Sequence, residues 1–237
     1  ATALTLVAGV LEVDRRFEDA NQLYNKIDPD SGYGWNARIR MAANYDRTDR
    51  FSDALRILRM LEKERPKRID CLVELGQILR SREKYGDSAA AYGRAIDRLD
   101  GLEKRHWTLL YSRAIAYERA KEWDKAENDL FAALKLMPEQ PLVLNYLGYS
   151  WIDRGENLKR ALEMVKKAVE LRPTDGYIVD SLGWALYRLG NYRAAVEHLE
   201  RSVNLRPEDP IINDHFGDAL WRVGRQLEAT FQWHRAL

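Results

Sequence analysis

The segment Gly183-Trp-Ala-Leu-Tyr-Arg-Leu-Gly-Asn-Tyr-Arg-Ala-Ala195 starts and ends on a small residue, with Gly190 between them. An aromatic, Tyr192, opens the run after that glycine. The same spacing of small residues recurs along the whole chain: Ala8/Ala20, Ala42/Ala54, Gly76/Ser88, Ala114/Ala126, Gly148/Ala161 (one residue longer) and Gly217/Ala229. Successive first members lie 34, 34, 38, 34, 35 and 34 residues apart. A fixed period of this size marks a stack of supersecondary units, each of which buries its apolar face only against its neighbours.

Numbering each unit so that the first small residue is position 8 puts its partner at position 20. Position 24 then carries a large apolar residue: Tyr24, Leu58, Tyr92, Leu130, Val165, Leu199 and Trp233. Position 27 reads Ile27, Leu61, Ala95, Ala133, Ala168, Ser202 and Ala236. Positions 20, 24 and 27 share one helical face, so they define the buried stripe of a second helix, B, against a first helix, A. Small side chains at positions 8 and 20 allow the two helices to approach without overpacking. Aromatics at position 17 (Phe17, Phe51, Tyr85, Trp123, Tyr192) are expected to cover the turn between A and B.

Helix ends are marked by chemistry that halts or caps a helix. Pro66, Pro138, Pro173 and Pro207 fall at position 32, where proline stops helix B for lack of an amide hydrogen. Gly190 and Gly224 fall at the A-to-B turn and tolerate positive φ. Asp175 and Asp209, after Arg172-Pro and Arg206-Pro, are placed to cap the next helix. Two irregularities interrupt the period. Four extra residues lie between Gly76 and Ala114 and are read as a lengthened helix B and connection, residues 97–107, dividing repeats 1–3 (1–96) from repeats 4–7 (108–237). One extra residue at Gly155-Glu-Asn157 lengthens a turn.

The period of 34 resembles the tetratricopeptide repeat (TPR) superfamily over all 237 residues. The expected fold is therefore all-α: a right-handed superhelical solenoid of about seven helix-turn-helix units in a single array. Ala1 and Leu237 read as limits of a piece of a longer chain. Composition agrees, with 46% hydrophobic and 32% charged residues, enough for a continuous core. The net charge is +1, and no basic stripe is apparent, so nucleic acid is not expected as a partner. No run of 18 apolar residues suggests a membrane span.

Catalytic and metal-binding constellations are missing from the sequence. His106, His198, His215 and His234 do not pair at metal spacing, and no metal or cofactor is expected. There is no Gly-rich phosphate loop, no Gly-x-Ser-x-Gly elbow and no Cys/His pair. Cys71, the single cysteine, lies in an apolar helical segment and reads as a small buried thiol. The chain is thus expected not to be an enzyme, and to present an extended binding surface instead.

In such a stack, positions 2, 5, 9 and 12 of helix A face the concave side. The candidate partner-binding residues there are Tyr111, Asn145, Tyr149, Tyr177, Asp180, Trp184, Tyr187, Asp214 and Trp221. Aromatic rings interleaved with Asn and Asp suit peptide or protein ligands, because they offer large contact area with few rotatable bonds. The equivalent sites of repeats 1–3 are smaller and more polar. Phe231 and Trp233 are left short of a neighbour at the last repeat, which points to end-on self-association.

The last third carries a narrower likeness. Leu144-Asn-Tyr-Leu-Gly-Tyr149, Ile178 to Gly190 and Gly217-Asp-Ala-Leu-Trp221 resemble a group of bacterial envelope repeat proteins. In that group a lipoprotein member acts as an adaptor that brings cell-wall hydrolase substrates to a carboxyl-terminal processing protease. The resemblance implies a periplasmic or envelope-associated scaffold with a lipid anchor upstream. The alternative is a cytoplasmic chaperone or regulatory co-factor, or an interaction module joined to a catalytic domain elsewhere. The two-carboxylate clamp of such co-factors needs lysine and asparagine at positions 5 and 9, where this chain has pairs such as Asn145/Tyr149, Asp180/Trp184 and Asp214/Asp218. The asparagine ladder of a sugar-transferase superhelix is likewise missing, since position 6 reads Leu6, Arg40, Glu74, Ser112, Tyr146, Ser181 and His215.

Overall fold

A computed structural model describes all residues, 1–237, and contains fourteen α-helices and no strand. They alternate as A and B: α1 Thr2–Val13, α2 Phe17–Tyr24, α3 Gly34–Arg47, α4 Phe51–Glu64, α5 Asp70–Ser81, α6 Tyr85–Asp97 and α7 Trp107–Arg119. There follow α8 Trp123–Leu136, α9 Pro141–Arg154, α10 Leu158–Leu171, α11 Gly176–Arg188, α12 Tyr192–Leu205, α13 Pro210–Arg222 and α14 Gln226–Ala236. The chain folds as two compact units, residues 1–132 and 133–237. That boundary lies within α8, not at the 97–107 interruption of the period. No helix is long and apolar enough to cross a membrane.

The small residues sit where helix A meets helix B. Every position-20 residue is fully buried, from Ala20 to Ala229. A methyl group added to Gly76, Gly148, Gly183 or Gly217 would lie 2.5–2.7 Å from the side chain at position 24 of its own repeat. Position 8 is thus the socket for position 24, a tighter constraint than general smallness. Ser88 and Ser202 replace alanine in helix B and satisfy their hydroxyls on the backbone oxygens of Gly76 (2.7 Å) and Gly176 (2.8 Å).

Turn chemistry follows the expected plan with three differences. Helices α4, α8, α10 and α12 all stop two residues before their prolines. Gly190 and Gly224 have φ of 79° and 86°, but the same turn in four earlier repeats uses Arg15, Asp49, Glu83 and Lys121 at φ 57–63°. Asp209 caps α13, accepting from the amides of Ile211 and Ile212, whereas Asp175 makes no side-chain cap bond. The extra residues after α6 do not lengthen that helix. Asp100-Gly101 has poor helix propensity, and α6 ends at Asp97. A single 3-10 turn, Lys104–His106, follows, closed by the Glu103 amide donating to His106 Nδ1 at 2.9 Å. In the longer turn of repeat 5, both Gly155 and Asn157 are left-handed.

In the first unit, one buried cluster runs from Ala8 through Trp35 and Leu72 to Ala95. Beside it, Asn44 donates to Asn21 and Glu12, and further along the unit Arg113 makes a two-pronged bond to buried Asp129, both contacts 2.7 Å. An arginine late in helix A also stacks on the preceding position-17 ring: Arg47 on Phe17 and Arg82 on Phe51. Arg222 does the same to Tyr192 in the second unit. Large apolar side chains stay exposed on α1 (Leu6, Val10, Val13) and on α14 (Leu227, Phe231).

Candidate partner-binding face

Within residues 133–237, the A helices α9, α11 and α13 pack side by side, so each covers part of the one before it. This sets which groove residues remain open. Asp180, at position 5 of α11, is only 6% exposed and His215 of α13 only 7%. The His215 Nδ1 lies 3.1 and 3.0 Å from the two Asp180 oxygens. Since a carboxylate accepts, that nitrogen carries the proton and donates. Burial pushes the Asp180 carboxyl above its usual range, and the bond from His215 opposes the shift. Asp180 therefore positions His215 and does not itself reach solvent.

A ladder of rings continues from this pair. The His215 imidazole stacks on Trp184 (centroids 4.1 Å apart, planes 13°), and Trp184 stacks on Tyr187 (4.9 Å, 11°). Tyr187 meets Tyr192 edge-on at 5.4 Å. Arg222 then lies 4.2 Å over the Tyr192 ring and donates to its hydroxyl. Three elements, α11, α12 and α13, are locked by this chain of contacts. Offset stacking of this kind contributes about 0.5–1.5 kcal/mol per pair beyond area burial, so the half-buried edges of Trp184 and Tyr187 are held rigidly.

The remaining candidates are open to different degrees. Tyr177 is 51% and Trp221 45% exposed; Asp214 is also exposed. Tyr177 sits under Arg206 at 4.9 Å, and Trp221 leans on Trp233 of α14 at 5.5 Å. Ile211, Asp214 and Trp233 line a cleft of about 380 Å³. Beside it, Asp218 is pushed up by burial and by the Asp214 charge, with a bond from Trp233 acting the other way. Tyr149 and Asn145 are half-buried on α9, and burial, then the charges of Asp153 and Asp180, push the Tyr149 phenol up. Asn145 Oδ1 and Trp184 Nε1 have no hydrogen-bond partner within the chain, a condition that costs about 1–3 kcal/mol each until met. Tyr111 belongs to the first unit, on α7, with its ring tilted 49° against Trp107.

The arrangement brings Asp180, Trp184 and Tyr187 together and leaves Tyr177, Asp214 and Trp221 as the outward contacts. His215, Tyr192 and Arg222 are members that the groove positions did not select. His215 follows Asp180 by 35 residues, one period on, whereas Arg222 follows Tyr192 by 30, short of a period, and nothing in the sequence marked either pair. These residues form a face of rings and carboxylates on a helical repeat scaffold.

The chain belongs to the tetratricopeptide repeat family: a model of that family matches residues 94–237. Among relatives, TPR repeat-containing protein PA4667 of Pseudomonas aeruginosa is 32% identical over 132 residues, covering 55% of this chain and 22% of that protein. BBSome complex member BBS4 of Bos taurus is 29% identical over 141 residues, 60% of this chain and 26% of that one. The chain thus spans about a quarter of the length of these relatives. A tetratricopeptide repeat protein from Parabacteroides merdae is similar in structure (TM-score 0.69, 20% identity, 85% of this chain and 78% of that). The APC/C hetero-tetramer Cut9-Hcn1 also contains a similar chain (TM-score 0.69, 17% identity, 99% of this chain and 45% of that). These two structures share the helical repeat fold. TPR proteins generally act as protein-interaction scaffolds.

Proposed function

We propose that residues 133–237 capture a protein or peptide partner on the face of α11 and α13, and that the chain acts as a non-catalytic adaptor in the bacterial envelope. The single observation that carries the first part is the braced ring ladder with exposed Tyr177, Asp214 and Trp221 beside it. Rigid aromatic anchors flanked by polar groups are where binding energy concentrates at protein interfaces. A stack of this kind holds two partners at fixed spacing and raises their effective concentration.

The envelope part rests on the strings at 144–149, 178–190 and 217–221. In this reading the partner is a carboxyl-terminal processing protease or its cell-wall hydrolase substrate, and an upstream lipid anchor keeps the adaptor in the periplasm. The test is a titration of the chain against the purified protease from the same organism. Saturable binding, weakened about tenfold or more by Trp221→Ala with helical content unchanged, is expected. No binding to the protease removes the adaptor reading. Binding indifferent to Trp221→Ala and Tyr177→Ala removes the face. Turnover of peptide substrates by the chain alone would overturn the non-catalytic reading.

A further inference from the structure

The outer side of the first unit holds a second cleft, remote in sequence from the ring ladder. Its floor is α5, through buried Leu75 and Leu79, and its walls are one face each of α4 and α6. The cleft encloses about 370 Å³. On α4 the wall runs from Phe51 through Leu55 and Arg59 to Glu62. At 1.5 Å per residue that is roughly 16 Å, three turns of a helix.

The rim is basic. Arg59 and Lys84 flank the cleft, and Lys63 lines an adjoining depression that shares Leu55 and Arg59. None of the three makes an ion pair. Glu62, by contrast, is held by Arg94 at 3.2 Å and Arg98 at 2.7 Å, so its charge is offset within the wall. Asp87 on α6 is the one unpaired carboxylate of the lining. Three unpaired cations thus stand around a leucine-floored trough with polar walls, in a chain whose net charge is only +1.

We infer that this cleft between α4 and α6 docks a short amphipathic helix of a partner protein, with leucine-like side chains in the trough and carboxylates on Arg59, Lys63 and Lys84. A helix laid in a groove between two helices is recognised by anchors at i, i+3/i+4 and i+7, which the trough's length accommodates. The shape distinguishes this partner from other anionic surfaces. The apolar side chains are recessed between walls, whereas insertion into a lipid surface needs them to protrude. Single-stranded nucleic acid needs exposed rings for stacking, and the one ring here, Phe51, is half-buried with Arg82 lying 5.6 Å over it.

The probe is a fluorescein-labelled peptide of about 14 residues, leucines at i, i+4, i+7 and i+11 and glutamates between them, titrated by anisotropy. The expected result is saturable binding that falls about tenfold or more in R59E/K84E and on raising sodium chloride from about 50 to about 300 mM. The counterpart peptide with lysines for glutamates should bind the double variant better than the original chain. Trp221→Ala, in the second unit, should leave the glutamate peptide's binding unchanged. Equal affinity of the original chain for both peptides, or equal affinity of chain and double variant for the glutamate peptide, overturns the inference. So does co-sedimentation with phosphatidylserine-containing vesicles in the absence of peptide binding.

Discussion

Gly183→Ala probes the close contact between helices A and B in the four repeats that carry glycine at position 8. Glycine in a helix interior is worse than alanine by about 0.8–1.0 kcal/mol, so propensity alone favours the change. Geometry opposes it. The added Cβ would stand 2.5 Å from Leu199 Cγ, 2.8 Å from its Cδ2 and 3.2 Å from its backbone nitrogen. Favourable carbon contacts lie near 3.5–4.0 Å, and Leu199 is fully buried, with no space to retreat into. Overpacking of this kind costs about 1–3 kcal/mol; the net expectation after the propensity gain runs from no change to a loss of about 2 kcal/mol. Gly93 in α6 is the control, because its added Cβ would meet only an Arg113 guanidinium nitrogen at 3.7 Å. Gly93→Ala should therefore stabilise by about 0.5–1 kcal/mol. Urea unfolding followed by circular dichroism, with amide exchange of α11–α12 and α5–α6 to localise each change, measures both. If Gly183→Ala stabilises its helix pair as Gly93→Ala does, the socket account of position 8 is wrong.

Other expectations follow from the same contacts. Glu83 is held at φ 58°, so Glu83→Gly should stabilise the chain by about 0.5–1 kcal/mol and raise the urea midpoint accordingly, since left-handed backbone costs a side-chain-bearing residue about 1 kcal/mol or more. Arg113→Met should cost about 2–3 kcal/mol by leaving buried Asp129 without its partner. Adding Asp129→Leu should recover much of that loss in the same unfolding assay. Asp218 has its folded pKa raised by burial and by Asp214, so its contribution is most favourable below the ordinary carboxylate range and is lost as pH rises through the folded value. Asp218→Asn should thus gain stability over the parent at neutral pH, by less than about 1 kcal/mol with solvent nearby, and converge with it below about pH 4. The exposed apolar faces of α1 and α14 should drive association that grows with concentration in sedimentation velocity; a monomer at every concentration would count against this.

Much of the fold could be read from the chain because it depends on contacts inside one repeat. The pairing of position 8 with position 24 recurs at fixed spacing, and prolines at position 32 end their helices without help from tertiary structure. What escaped depends on stacking between repeats or on backbone geometry that side chains do not announce. Asp180 sits at position 5, nominally in the groove, yet α13 covers it and supplies His215, whose position 6 carried no such signal. Arg15, Asp49, Glu83 and Lys121 take a left-handed turn through backbone closure, with no glycine to mark it. The residues after α6 turn at Asp100-Gly101 because a local break outweighs the helical period. Arg59 and Lys84 lie 25 residues apart with nothing in the sequence to pair them, and only folding sets them beside Leu75 and Leu79.

Whether partners engage the face of α11 and α13 can be read by site-specific photo-cross-linking in native envelopes. A benzophenone side chain would replace Tyr177, Trp221 or, on the exposed side of α12, Glu197. Discrete protein adducts from positions 177 and 221, with none from 197, are the predicted result. Adducts from 197 alone, or equally from all three positions, would contradict the account.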